Sequence, residues 1–295
     1  MIPDFNYGTH CAEGAEIAYC WAGSGPALLL LHGFPQTHMM WAKIAPELIS
    51  SFTVICTDLR GYGASSKPHG TENYSFRQMA LDQLSLLSAL GFATFHVVGH
   101  DRGGRVAHRL ALDAPANLSS LTVMDIVPTH HLLQPLDFKV AQIYYHWFFL
   151  AQPAPFPEKL IAANADYYYT NCLMGWGAGQ LDEFSEVQLA AYRAAWHDPD
   201  TIRGMCEDYR AALEFDFDLD TADLGRKVTC PALVLSGADG IMEQAFDMSA
   251  AWQPRLANMR YRAIRGGHFF VDQNPSETLT ALTAFLTEIE KSKLV

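Results

Sequence analysis

The residues best able to do chemistry are concentrated in Val97-Val98-Gly99-His100-Asp101-Arg102-Gly103-Gly104-Arg105-Val106. The apolar run Phe95 to Val98 reads as a buried strand that stops at Gly99, and a helical pattern starts after Gly103-Gly104 with Val106, Ala107, Leu110 and Ala111. A strand, a sharp turn and a helix around Gly-x-Nuc-x-Gly make a nucleophile elbow, whose glycines admit a strained backbone that lifts the middle side chain above the sheet. Here that side chain is a carboxylate, Asp101. With an ordinary pKa of about 4 it is already ionised at neutral pH, so no base has to remove a proton before it attacks. Attack on saturated carbon or an epoxide gives an alkyl ester, whereas attack on an amide or ester carbonyl gives an anhydride and gains little. The expected chemistry is substitution at carbon, then hydrolysis of the enzyme ester.

Opening that ester takes an activated water. His268 stands just beyond the strand-like run Met259 to Ile264, in Arg265-Gly266-Gly267-His268, and comes late in the chain, as the order nucleophile, acid, histidine requires. An acid must fix its tautomer and stabilise its cation. Asp125, after the run Leu121 to Met124, and Asp239, after Val228 to Ser236, both fall at carboxyl ends of strands, and spacing does not choose between them. Arg102 and Arg105 are one helical turn apart, so both project to one side near a helix N-terminus and form a local anion site. His32-Gly33-Phe34-Pro35 follows an early strand, which places the Phe34 N–H beside that of Arg102 as a pair of oxyanion donors.

The elements that must position these groups alternate in type. Short strand-like runs at 15–22, 27–32 and 53–57 precede a helix opened by Ser75-Phe76-Arg77-Gln78, read as a capping box, with Phe76, Met79, Ala80, Leu84 and Leu87 on one face. The glycine-rich turn Asp58 to Ser65 is expected to be structural, and Asn274-Pro275 to cap the last helix. Alternating strands and helices imply a parallel sheet, with ligands beyond the carboxyl ends of its strands. From 130 to 220 the strand pattern gives way to aromatic, helical sequence that includes Tyr144 to Phe149, Tyr167 to Tyr169 and Met205 to Arg210. The expected organisation is an α/β core at 1–129 and 221–295, with a helical cap inserted at 130–220.

Of the 295 residues, 49% are hydrophobic, ample for a sizeable core, and no apolar run approaches the roughly 20 residues that span a bilayer. The start of the chain has neither a basic segment nor an apolar one, so a soluble cytoplasmic protein is expected. Six cysteines without C-x-x-C spacing disfavour a zinc site or redox motif and read as reduced, mostly buried thiols. A formal charge of −12 argues against nucleic acid, and requires that attraction of any anionic substrate be local.

Taken together, these residues resemble the α/β-hydrolase superfamily and, within it, the fluoroacetate dehalogenases. The resemblance is carried by His32 to His38, Gly99 to Gly103, Arg105, Asp125 to Thr129, His146-Trp147 with Ala151 to Pro155, Cys206 to Arg210, and Gly267-His268. It implies a mostly parallel sheet flanked by helices, with a helical cap and no cofactor or metal. It also implies roles. Asp101 would attack the halogen-bearing carbon, His268 would activate water, and Asp125 would orient the histidine. Arg102 and Arg105 would hold the substrate carboxylate, while His146, Trp147 and Tyr209 would donate to the departing halide. The partner implied is a small haloacid, and a homodimer is left open. Epoxide hydrolases share the aspartate chemistry, but they usually carry tryptophan after the nucleophile and tyrosine where His146 falls. A pair of arginines would be wasted on a neutral haloalkane. A non-catalytic ligand-binding protein of this fold need not keep Asp101, His268 and Asp125 together.

Overall fold

The computed structural model describes residues 1–134 and 138–293. A single sheet organises them: β1 (Asn6–Ala12), β2 (Ala15–Ala22), β3 (Ala27–Leu31), β4 (Thr53–Thr57), β5 (Phe95–His100), β6 (Leu118–Met124), β7 (Val228–Gly237) and β8 (Leu256–Ile264). Their order is β1-β2-β4-β3-β5-β6-β7-β8. β1–β2 and β2–β4 pair antiparallel, and every pairing from β4 through β8 is parallel. All residues of β3 and β5 are buried, as an inner strand covered by helices on both faces demands. β1 has no counterpart among the runs read from the sequence. It is an edge strand with a largely exposed pattern, so it lacks the apolar alternation that marks a strand.

The helices Phe76–Ala89 and Arg102–Asp113 pack on each other, and the long helix Pro275–Ser292 closes the chain against β6 and β8. Between β6 and β7 no strand occurs among the described residues: eight α-helices run from Thr129–Leu133 to Phe217–Ala222. Residues 135–137, inside the expected cap, lie outside the described residues.

Local signals were partly misread. Ser75 accepts from the Gln78 N–H at 3.2 Å, a one-way cap, whereas the reciprocal box belongs to Ser185 and Gln188 in the helix Glu186–Trp196. Asn274 makes no side-chain cap to the last helix; its amide donates to Glu277 Oε2 at 2.7 Å instead. The Asp58 turn is structural in detail. Its carboxylate accepts the backbone N–H groups of His38 and Ala64, each at 2.8 Å, which fastens this loop to the one carrying Phe34. Among the described residues, no helix is long and apolar enough to cross a membrane.

Candidate active site

The elbow begins with the lack of room around its glycines. A Cβ on Gly99 would lie 2.2 Å from the Gly103 carbonyl oxygen, and one on Gly103 would lie 2.4 Å from that of Leu31. Neither contact can relax, because both partners are backbone. The strained conformation sits on Asp101 itself, with φ 49° and ψ −115°, rather than on the flanking glycines. The helix Arg102–Asp113 starts immediately after it. Gly33 is crowded in the same way, since its Cβ would fall 2.5 Å from that of Asp101, and this closeness lets the Phe34 N–H donate to Asp101 Oδ1 at 2.9 Å. Burial alone would raise the Asp101 carboxyl. His268, His100, Arg102 and the Phe34 N–H outweigh it and hold the pKa at about 2.

His268 follows β8, and its Nδ1 is 2.6 Å from Asp125 Oδ2. Asp125 follows β6 with φ 52°, and its Oδ1 accepts the Gly237 N–H at 2.9 Å, so one acid is anchored on one side and holds the imidazole on the other. Burial works against a charged imidazole here, but the bond and charge of Asp125, with Asp101 behind, raise the His268 pKa above its ordinary value. Asp239 does not reach His268. Its carboxylate accepts the Gly266 N–H at 3.0 Å in an open rim beside Glu183 and Arg265, where it stabilises a turn. Of the two acids, Asp125 is the one in contact with the imidazole.

Asp101, Asp125 and His268 line one internal cavity with His146, Tyr144, Trp176, Ile143, Ile241 and Met242. Its room for a water-sized sphere is about 30 Å³, a space for a few non-hydrogen atoms. His146 is buried, its Nδ1 has no partner, and burial brings its pKa down to about 3, so it is neutral. The hydroxyl of Tyr209 is likewise buried and unpartnered, with its ring edge-on to those of Trp147 and His146 at 5.4 and 5.6 Å.

The arginines depart from the expectation of a free pair facing the pocket. Both are buried, and neither lines the cavity beside Asp101. Arg102 donates through Nε to Asp208 Oδ2 at 2.8 Å, and through Nη2 to Asp208 Oδ1 and, at 2.9 Å, to the Asp208 carbonyl, leaving only Nη1 unpartnered. Arg105 donates through Nη1 to the Val127 carbonyl and Thr129 Oγ1, each at 3.0 Å, and its Nε is unpartnered. Among the described residues no carboxylate lies within ion-pair distance of Arg105, and burial lowers its pKa. Helical spacing does bring the two guanidiniums together: they stand over the Trp147 ring at 4.9 and 4.7 Å.

Trp176 and Asp208 were missed. Trp176 lies 4.1 Å ring to ring from His146, and its carbonyl accepts the His268 N–H at 3.1 Å. Nothing in Gly175-Trp176-Gly177 distinguishes it from any exposed loop residue. Asp208 falls within Cys206 to Arg210, and reading Glu207-Asp208-Tyr209-Arg210 as a buried helix requires a cation for it.

Residues 26–275 match the family model described as the alpha/beta hydrolase fold. The chain is 56% identical over 269 residues to a fluoroacetate dehalogenase from a Burkholderia species, covering 90% of this chain and 88% of that one. It is 33% identical to a soluble epoxide hydrolase from Corynebacterium sp. strain C12, covering 92% and 94%. A solved chain from Nostoc sp. PCC 7120, described no further than an alpha/beta hydrolase, superposes with a TM-score of 0.95 at 46% identity over 97% of this chain and 99% of that one. With its strained aspartate elbow, parallel sheet and late histidine, the chain belongs to the α/β-hydrolase fold family.

Proposed function

We propose that the protein is a hydrolytic dehalogenase of short 2-haloacids, converting fluoroacetate or chloroacetate to glycolate and halide. Asp101 Oδ attacks the halogen-bearing carbon from behind; the carbon–halogen bond breaks, its electron pair leaves with the halide, and an alkyl ester forms on Asp101. Neutral His146, Trp147 and Tyr209 donate to the departing ion, where charge develops and donors contribute most. His268, held by Asp125, then takes a proton from water, which adds to the Asp101 ester carbonyl and releases glycolate. The Phe34 N–H, with that of Arg102, serves the resulting oxyanion. Residues 130–220 act as the cap that keeps bulk water from the halide.

The single observation that carries the acid specificity is Arg105. A buried cation with no carboxylate partner is costly, and a substrate carboxylate removes that cost. Among the described residues, Nε and Nη2 of Arg105 and Nη1 of Arg102 make no hydrogen bond and are the donors left to hold it. The relative at 56% identity supports the same reading, and the small cavity favours a two-carbon acid over the bulkier aryl epoxides.

Incubation with fluoroacetate, chloroacetate and styrene oxide separates the readings: halide release from the acids without diol from the epoxide is expected. Diol formation without halide would replace this reading with an epoxide hydrolase. His268→Asn should stop at the ester, so the intact mass rises by one carboxymethyl group on Asp101; an unmodified mass after halide release would remove the ester route.

A further inference from the structure

Away from the cavity, β2 and β4 set Cys20 directly opposite Cys56, and β1 sets Tyr7 opposite Cys20, so the three side chains form one row across the sheet. Directly opposed residues of an antiparallel pair have Cα atoms about 4.5–5.5 Å apart, within the roughly 4.4–6.8 Å that a disulfide spans. His38 lies over the row, with its ring 5.9 Å from that of Tyr7. Its Nδ1 is 2.8 Å from Asp58 Oδ1, and its Nε2 is buried without a partner.

The two sulfurs are not equivalent. The neighbouring Cys56 draws the Cys20 thiol down against its burial, with the charge of His38 adding to the effect. Burial pushes the Cys56 thiol up. One sulfur therefore ionises first while its neighbour stays protonated, the arrangement of an attacking and a resolving cysteine. Both are fully buried, beneath Tyr7 and a His38 side chain that is itself partly exposed. An oxidant for them must therefore be small.

We propose that Cys20 and Cys56 are a peroxide-oxidisable dithiol, with His38, oriented by Asp58, as the base that activates Cys20. The Cys20 thiolate attacks one oxygen of hydrogen peroxide; the O–O bond breaks, and the leaving hydroxide takes the proton held by His38, giving water and a sulfenic acid. Cys56 then attacks the Cys20 sulfur. The S–S bond forms, the S–O bond breaks, and the Cys56 proton leaves with the hydroxyl as a second water, so peroxide is reduced by the two electrons the thiols lose.

The test is to treat the native protein with hydrogen peroxide, denature it, alkylate it and measure intact and peptide masses. A species lighter by two hydrogens, with two of the six cysteines protected and the Cys20 and Cys56 peptides linked, is expected. Cys20→Ala should abolish the link, Cys56→Ala should leave a sulfenic acid on Cys20 that dimedone traps, and His38→Asn should slow oxidation about tenfold. Six alkylatable thiols after treatment, or oxidation confined to Cys11 and Cys230, would overturn the proposal, and an unchanged rate in His38→Asn would remove the base.

Discussion

At the scale of single residues, the proposed chemistry follows from the carboxylate that stands at the elbow where a hydroxyl is usual: Asp101 needs no base, which would free His268 for the second half-reaction. The base must be neutral, and its folded pKa is raised above 6.5 by Asp125. Activity should therefore rise with pH through a value above 6.5, and a pH profile of kcat in single-turnover halide release and in glycolate release should show the limb only in the latter. Asp125→Asn should lower glycolate release by about 10³–10⁴-fold, the loss typical when a catalytic histidine loses its tautomer, while Asp239→Asn should stay within a few-fold of wild type. Arg105 gives a sharper contrast. Replacing it by methionine should raise KM for chloroacetate by about 10- to 100-fold, the worth of a charge-assisted bond, and leave the melting temperature equal or higher, because an unpaired buried charge is removed. A lower melting temperature with unchanged KM would make Arg105 structural.

At the scale of elements, the elbow is a meeting of three backbones at Gly99, Gly103 and Leu31. Gly103→Ala should destabilise the fold by about 1–3 kcal/mol or more, read by denaturant midpoint, because the added methyl meets a carbonyl oxygen rather than a movable side chain. The strand–turn–helix was legible because glycine, buried β-branched residues and a helical period are local signals. β1 was not, since an exposed edge strand is fixed by its partner β2 rather than by its own pattern. The capping boxes show the same limit: Ser-x-x-Gln occurs at both 75–78 and 185–188, and only packing decides which glutamine can fold back to its serine.

At the scale of the whole molecule, the helical segment is tied to the sheet by buried polar groups. Asp272 accepts from Gln188 Nε2 at 2.7 Å and Gln36 Nε2 at 3.2 Å, and Gln36 also donates to the Tyr192 hydroxyl. Burial outweighs these donors and raises the Asp272 pKa to about 7. A carboxyl raised on folding binds more protons folded than unfolded between about pH 4 and 7, so its contribution to stability is largest below about 4 and is lost as pH rises to about 7. Asp272→Asn should flatten the stability curve over that window, and Gln36, whose Oε1 is unpartnered, can turn to accept from the new amide. An unchanged slope of denaturation free energy against pH would show that this carboxyl does not titrate there. The charge of −12 fits the same scale: Asp208 cancels Arg102, so under the proposed function Arg105 is the guanidinium of the pair that would attract an anion, within a molecule that repels anions at a distance.

The sequence by itself placed an aspartate at an elbow and a histidine late in the chain, and it called for a mostly parallel α/β core and a run of helices, because each rests on residue type and short-range spacing. Only the tertiary structure decided the rest. It put Asp125 rather than Asp239 against His268, since two strand ends are equivalent until one of them faces the imidazole. It tied Arg102 to Asp208 across 106 positions and left Arg105 without a carboxylate partner among the described residues. It set Cys20 against Cys56, a pairing fixed by strand register, which no spacing along the chain encodes.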